Sequence, residues 1–236
     1  MKLKFRNFFK KILLIAILIV ASEMYTLPES DLNSFNAYEQ SGSYGYVHSV
    51  KDRAEKQLVN EVDDLIKRYA PKSQLSSELL VMNSLKYNLD IVFVLAQGLL
   101  ESHFGTKGTA VKTNSVWNVG SYDNGKNYNY YDDPNESIEP YMKLINERYL
   151  MTSDSINENN KNLIDLLKDR GYKNGIGKRY ATARRYEESL RELMVMIDIG
   201  TSISLYQSIT KLSDLEILAF FKPIEKETNF ELQAMN

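Results

Sequence analysis

The chain has 236 residues, of which 43% are hydrophobic, 25% charged and 11% aromatic. This composition suits one globular domain with extensions and excludes collagen-like, coiled-coil and wholly disordered chains. The chain has no cysteine, and His48 and His103 are its two histidines, which excludes disulfide scaffolds, cysteine nucleophiles, thiolate-bound zinc and multi-histidine metal sites.

The N-terminus has the charge pattern of an export signal. The first 21 residues carry five basic and no acidic side chains, and an uncharged apolar run covers Ile12–Ala21. A bilayer span needs about 20 apolar residues, whereas the apolar part of an export signal needs about 7–15. We therefore predict that residues 1–21 are a signal peptide, or a short membrane anchor if uncleaved, and that the rest is exported to the periplasm or cell surface.

The remainder of the chain is acidic. It carries 24 basic and 31 acidic side chains. Nucleic-acid binding depends on basic side chains that neutralise phosphates, so this balance excludes a nucleic-acid partner.

Two helices are predicted before residue 90. Residues 22–48 are rich in Ser, Tyr, Asn and Gly and lack apolar periodicity, which indicates a flexible spacer. Apolar residues then recur at helical spacing over Val50–Tyr69, which predicts a helix capped by Ser49 and stopped before Pro71. A second helix is predicted over 75–87.

The third predicted helix combines an apolar surface with two polar side chains. It covers Ile91–His103, begins at the cap residue Asp90 and ends at Gly105, which suits a left-handed C-terminal position. Nearly all of its residues are apolar, so we expect burial on every side. Gln97 and Glu101 are four residues apart and therefore share one face. A carboxylate there is costly unless it is paired, neutral or open to a cleft.

Beyond this helix the sequence is polar and aromatic up to about residue 133. Asn124 and Gly125 favour a type I′ turn and predict one small β-hairpin, while Asp133 serves as a turn or cap residue before Pro134. The remaining elements are predicted as a helix over 138–151 with Ser137 as its N-cap, a helix over 160–170, the longest helix from Ala183 to Gly200, and a C-terminal extension over 201–236. The predicted fold is mainly α, with a globular domain over residues 49–200.

Glu101 is the side chain best suited to chemistry. Cleavage of a glycosidic bond needs a proton on the leaving oxygen while positive charge builds on the sugar ring. A carboxylic acid supplies that proton near neutral pH where burial raises its pKa. The end of an apolar helix beside a polar, tyrosine-rich loop offers such an environment. From position alone, a structural carboxylate is the alternative interpretation.

Four segments resemble, in order, motifs of the bacterial glucosaminidases that act on peptidoglycan, the flagellar and autolysin group of glycoside hydrolase family 73. AQGLLESHFG at 96–105 resembles AQ-x-x-x-ES-x-(aromatic)-G, and NSVWNV at 114–119 resembles NN-x-F-G-I. YDDPNESIEPY at 131–141 resembles Y-D-(S/D)-x-x-x-S-(hydrophobic)-x-x-Y, and YATARRY at 180–186 resembles YATD-P-x-Y. Together the four segments lie within residues 75–197.

The resemblance implies a lysozyme-like helical fold with Glu101 as the catalytic acid at the end of a central helix. It also implies a cleft for strands of alternating N-acetylglucosamine and N-acetylmuramic acid, with Tyr180 at its catalytic part. Trp117 and Asn114 are expected to line the cleft, since aromatic rings pack on sugar faces and amides hydrogen-bond N-acetyl groups. Further substrate contacts are expected at Gln97, Asn118, Tyr122 and Asp123.

Several of these residues also have a structural interpretation. Gln97 either orients Glu101 or satisfies a hydrogen bond in the core. Trp117 is either a cleft residue or a core aromatic. Tyr141 and Tyr186 fall on helices and are interpreted as core residues.

The chain departs from the family pattern at the second carboxylate. Residues 120–130 offer only Asp123, and Ala183 and Arg184 replace the Asp and Pro of the last motif. A mechanism with two carboxylates is therefore in doubt. With one carboxylate, either the N-acetyl oxygen of the substrate assists departure, or the C6 hydroxyl of muramic acid attacks as in lytic transglycosylases.

The leading hypothesis is an exported endo-β-N-acetylglucosaminidase that binds peptidoglycan strands and cuts after N-acetylglucosamine. One alternative is a lytic transglycosylase with the same Glu101, and another is a wall-binding module with an inactive site. No metal or organic cofactor is implied, and a membrane is a partner only through residues 1–21 if they are uncleaved.

Overall fold

The computed structural model describes residues 43–120, 129–150, 180–181 and 183–217. Contacts divide the chain into two compact units, one comprising Val59–Ser204 and the other comprising Met1–Leu58 with Leu205–Asn236. Four predicted features lie outside the described residues: the export signal at 1–21, the spacer up to residue 42, the hairpin turn at 124–125 and the helix at 160–170.

The described elements are helical, and the part of the chain that the structure describes has no strand. In chain order they are α1 (Ser43–Tyr69), α2 (Ser77–Lys86), α3 (Ile91–Ser102), α4 (Ala110–Thr113), a 3₁₀ turn (Pro134–Ser137), α5 (Ile138–Ile145), a π turn (Asn146–Leu150), α6 (Tyr186–Gly200) and α7 (Ile203–Thr210). The mainly α prediction is confirmed. Within the described ranges, no helix is both long and apolar enough to cross a bilayer.

Helix α1 begins at Ser43, so the predicted cap at Ser49 and the end of the predicted spacer at residue 48 are wrong. The reason is burial of Val47, which packs with Ile209 and Ile217 in the core of the terminal unit. Burial of an apolar side chain against these residues stabilises the helix that carries it, so α1 extends by more than one turn towards the N-terminus. At 27 residues α1, rather than the last predicted helix, is the longest one described.

Helix α3 lies at the centre of the unit Val59–Ser204, where every residue from Ile91 to Leu99 is buried. It packs chiefly against α6 and also contacts α2. Its start is confirmed, because the Asp90 carboxylate accepts the backbone N–H of Val92 at 2.9 Å.

The C-terminal end of α3 turns sharply. His103 and Phe104 both have φ 54°, in the left-handed region, and Gly105 follows with φ 82°. The left-handed conformation predicted for Gly105 is confirmed, but the cap itself is His103. Two consecutive non-glycine residues in this region are uncommon and carry a conformational cost.

Helix α5 is reached through the 3₁₀ turn Pro134–Ser137. Asp133 caps this turn, and its carboxylate accepts the backbone N–H of Asn135 at 2.6 Å. The interpretation of Asp133 as a cap is thus confirmed. Ser137 lies at the N-cap position of α5 as predicted, but its side chain makes no capping hydrogen bond. Its hydroxyl instead donates to the Pro134 carbonyl at 2.6 Å and accepts the Val116 N–H at 3.2 Å. Helix α6 ends at Gly200 as predicted but begins at Tyr186.

Candidate active site

Glu101 lies in the last turn of α3, where its partly buried carboxylate accepts two side-chain hydrogen bonds. The Tyr186 hydroxyl on α6 donates to Oε1 at 2.7 Å. The Asn118 amide donates to Oε2 at 3.2 Å and to the backbone carbonyl of Glu101 at 3.3 Å. Both carboxylate oxygens are therefore held by neutral donors.

Burial raises the pKa of Glu101 above its ordinary value, because removal from water disfavours the charged form. The hydrogen bonds from Tyr186 and Asn118 favour the ionised form and offset part of this rise in pKa. Among the ion pairs of the described residues, none includes Glu101. The geometry thus suits a carboxylic acid that keeps its proton to higher pH than an exposed glutamate.

Gln97 lies one turn before Glu101, and none of its surface is exposed to solvent. Its amide nitrogen donates to the Tyr186 hydroxyl at 2.8 Å, and its carbonyl oxygen accepts from the Tyr141 hydroxyl. Gln97 also hydrogen-bonds the Tyr180 hydroxyl, which partly offsets the rise in pKa that burial causes there. Gln97 is thus linked to the acid through Tyr186, which matches the interpretation that it orients Glu101. Its contact with a substrate stays a prediction.

Tyr180 joins the same group of aromatic rings. Its ring centroid lies 5.6 Å from that of Tyr149 and 5.9 Å from that of Tyr186. Burial, with the nearby Glu101 carboxylate second, holds the pKa of Tyr180 well above its ordinary value. The phenol therefore stays neutral, and able to donate a hydrogen bond, to higher pH than an exposed tyrosine.

The segment that carries Asn118 is fastened by its backbone. The Val116 N–H donates to the Ser137 hydroxyl at 3.2 Å, and the Val116 carbonyl accepts from the Ser102 hydroxyl at 2.6 Å. Asn118 itself has φ 51°, in the left-handed region, which asparagine tolerates better than most residues. This placement brings its amide to Glu101.

Two of the predicted cleft residues have structural roles. Trp117 is only 1% exposed, its ring stacks on Tyr141 with centroids 4.5 Å apart, and its indole N–H donates to the Val94 carbonyl at 3.1 Å. These contacts match the interpretation of Trp117 as a core aromatic residue, and its contact with a sugar stays a prediction. The Asn114 amide donates to the carbonyls of Tyr131 at 2.9 Å and Asp132 at 3.1 Å, which ties two segments together.

Of the predicted site residues, the structure brings together Gln97, Glu101, Asn118 and Tyr180. Tyr122 and Asp123 lie outside the described residues. Sequence reasoning missed Tyr186 and Tyr141, which it interpreted as core residues. Both are indeed buried, but their hydroxyls belong to the network behind the acid. The sequence did offer one signal for them, because Tyr141 and Tyr186 are the last residues of the third and fourth family motifs.

A second carboxylate at Glu101 is not found in the part of the chain that the structure describes. The Asp133 side chain caps the 3₁₀ turn. The described residues also contain no cluster of acidic and histidine side chains suited to a metal ion.

Comparison with known proteins matches the chain to a family model. A family model named Glucosaminidase and described as mannosyl-glycoprotein endo-β-N-acetylglucosaminidase matches residues 77–198, slightly more than half of the chain. This range contains every described residue of the Glu101 network. No curated protein matches the chain.

Proposed function

The chain belongs to the Glucosaminidase family of glycoside hydrolases, and from this premise we propose that it is an exported peptidoglycan hydrolase with Glu101 as its general acid. The proposed bond is the β-1,4 linkage after N-acetylglucosamine, so that this sugar becomes the new reducing end. The observation that carries the proposal is the Glu101 carboxyl itself, with its pKa raised by burial and with neutral donors on both oxygens.

The first proposed step is protonation of the leaving oxygen by Glu101. A general acid works best when its pKa lies near the working pH, since it must both hold a proton and release it in the transition state. Burial moves the pKa of Glu101 in that direction. The hydrogen bonds from Tyr186 and Asn118 then stabilise the carboxylate that remains after the proton has left.

The second proposed step is stabilisation of the positive charge on the sugar ring. The described residues place no second carboxylate at Glu101, which favours assistance by the N-acetyl oxygen of the substrate. That oxygen attacks the anomeric carbon as the leaving group departs, and water then opens the resulting ring. We propose that the neutral Tyr180 phenol donates a hydrogen bond on the substrate side of this centre.

Glu101→Gln tests the proposed acid. Glutamine keeps the size of the side chain and an oxygen that accepts from Tyr186, but it cannot donate an acidic proton. We expect wall-clearing activity on purified sacculi to fall by about 10²–10⁴-fold with folding intact. Glu139→Gln is the matched control, because Glu139 is an exposed glutamate bound by Lys86 at 2.6 Å and by the Tyr87 hydroxyl at 2.9 Å.

Mass spectrometry of the released fragments separates the alternatives. Reducing-end N-acetylglucosamine supports the proposed bond, whereas 1,6-anhydromuramic ends identify a lytic transglycosylase. A wild-type chain that binds sacculi without clearing them, and whose behaviour Glu101→Gln does not change, identifies a wall-binding module.

Fractionation of cells that express the chain with and without residues 1–21 tests export, with the wild type expected outside the cytoplasm.

A further inference from the structure

The hydrogen bonds behind Glu101 all run in one direction. Tyr141 donates its hydroxyl hydrogen to the Gln97 carbonyl oxygen. The Gln97 amide nitrogen donates to the Tyr186 hydroxyl oxygen at 2.8 Å, and the Tyr186 hydroxyl donates to Glu101 Oε1 at 2.7 Å. We call Tyr141, Gln97, Tyr186 and Glu101 the relay.

The same four side chains could form a relay of the opposite direction. In that arrangement a protonated Oε1 of Glu101 donates to Tyr186, Tyr186 donates to the Gln97 carbonyl oxygen, and the turned amide of Gln97 donates to Tyr141. The Tyr141 hydroxyl hydrogen then needs a different acceptor. In the described part of the chain, this hydroxyl has Gln97 as its hydrogen-bond partner.

The surroundings of Tyr141 make the reversed relay costly. Tyr141 has no exposed surface, so solvent does not supply an acceptor. Its ring is stacked on Trp117, whose own N–H donates to the Val94 carbonyl, so the position of the ring is held. A buried hydroxyl hydrogen without an acceptor carries a desolvation penalty.

We propose that Tyr141 is a positioning residue of the catalytic acid, whose buried hydroxyl fixes the direction of the relay so that Glu101 carries its proton on Oε2. This rests on the proposed role of Glu101 as general acid. Tyr141 acts through Gln97 and Tyr186 and touches neither Glu101 nor the substrate.

The two oxygens of Glu101 differ as this proposal requires. Oε1 receives the full hydrogen bond of Tyr186 at 2.7 Å. Oε2 receives an amide hydrogen bond of 3.2 Å from Asn118, and the same amide nitrogen also donates to the backbone carbonyl of Glu101 at 3.3 Å. The proton therefore resides on the less strongly held Oε2, and Oε1 stays an acceptor.

The relay also affects the pH at which the acid works. Within residues 43–120, 129–150, 180–181 and 183–217, the titratable groups of the cluster around Glu101 are tyrosines. They are Tyr186 on α6, Tyr141 on α5, and Tyr180 with Tyr149 beside it. All of them face the site from packed elements, and burial holds the pKa values of Tyr141, Tyr180 and Tyr186 well above the ordinary value. Glu101 is thus the group of this cluster that loses its proton first as pH rises.

Tyr141→Phe in the full-length chain tests the proposal through the pH profile of kcat/KM on solubilised peptidoglycan. Phenylalanine keeps the stack on Trp117 but leaves the Gln97 carbonyl oxygen without its donor. Each of the two orientations of the Gln97 amide then leaves one buried polar group without a partner, so the direction of the relay is no longer fixed. In the reversed direction a protonated Glu101 donates to Tyr186, so loss of the fixed direction favours the protonated form of Glu101. We expect the basic limb of the profile to move to higher pH by roughly one pH unit.

Two further variants make the test specific. Tyr186→Phe removes the direct donor, so its basic limb should also move up, and adding Tyr141→Phe to it should move the limb no further, because Tyr141 acts through Tyr186. Tyr87→Phe is the matched control, since Tyr87 also donates to a glutamate, Glu139, at 2.9 Å but lies on the surface. Its basic limb should not move.

The orientation of the Gln97 amide can be measured by NMR in the wild type, so this test does not require that any variant folds. Nuclear Overhauser contacts from the Gln97 side-chain amide hydrogens should reach the rings of Tyr186 and Tyr180. Contacts to the Tyr141 ring instead would show the reversed orientation and overturn the proposal. A folded Tyr141→Phe enzyme with an unmoved basic limb, or shifts of Tyr141→Phe and Tyr186→Phe that add, would do the same. An inactive wild type, or an active Glu101→Gln, would instead refute the proposed function and leave the Overhauser result standing.

Discussion

The substitution Gly98→Ala, one turn before Glu101 in α3, has two opposite effects of similar size on the free energy of unfolding. Gly98 is an interior residue of α3 without the positive φ that would require glycine. An alanine in a helix interior is favoured over glycine by about 1 kcal/mol, so propensity alone predicts a more stable protein. The space around Gly98 predicts the opposite.

A Cβ atom at position 98 would lie 3.2 Å from Cδ1 and 3.3 Å from Cε1 of Phe104, and 3.3 Å from Nε1 of Trp117. Phe104 and Trp117 are each 1% exposed, and Trp117 is held by its hydrogen bond to Val94 and its stack on Tyr141. Overpacking a rigid core costs about 1–3 kcal/mol. The net expectation is a loss of about 1 kcal/mol.

Urea unfolding of the full-length chain, followed by tryptophan fluorescence, measures this difference, because Trp117 is the single tryptophan and lies at the contact. Gly200→Ala is the matched control: it ends α6, and a Cβ there meets no atom within 4 Å. The control should gain about 0.4–1 kcal/mol. A Gly98→Ala chain as stable as the wild type, or more stable, would refute the argument that Phe104 and Trp117 cannot yield.

Two more predictions concern stability. Burial raises the pKa of Glu101 in the folded chain above its ordinary value of 4.5, so the unfolded chain loses this proton first as pH rises. The contribution of Glu101 to stability is therefore full below its ordinary pKa of 4.5 and declines as pH rises above it. Glu101→Gln should accordingly gain stability relative to the wild type as pH rises above 4.5, as thermal unfolding at a series of pH values would show. An unchanging difference would contradict it. Ser137→Ala should lose about 1–3 kcal/mol in urea unfolding because the Val116 N–H loses its acceptor, whereas Ser189→Ala on α6 should be neutral or slightly stabilising; equal effects would refute the role of Ser137.

The parts of the fold that sequence predicts are those that local chemistry decides. The start of α3 follows from Asp90 and the unbroken apolar run behind it, and both signals lie within a few residues of each other. The start of α1 depends on burial of Val47 against Ile209 and Ile217, which lie at the other end of the chain. Ser137 is a residue type that often caps helices, and it lies at the start of α5. Its hydroxyl nevertheless accepts the N–H of Val116, a partner that local sequence does not reveal.

The same distinction holds at the site. Glu101 is predicted because it interrupts an apolar helix within a motif, which is again a local signal. The tyrosines behind it are not, because the hydrogen bonds from Gln97 to Tyr141 and Tyr186 join residues 44 and 89 positions apart. A lone tryptophan such as Trp117 has the same sequence signature in a cleft and in a core, and only its packing distinguishes the two.

The two hydrogen bonds that hold the backbone of Val116 determine which parts of the site a substitution can change. The loop that presents Asn118 is fastened by hydroxyl groups of Ser102 and Ser137, which belong to its neighbours and not to the loop. The path of the chain therefore depends on these two serines as well as on the left-handed φ of residue 118. A substitution at position 118 that keeps this φ would change the hydrogen bond to Glu101, and with it the pKa of the acid, while both serine contacts remain.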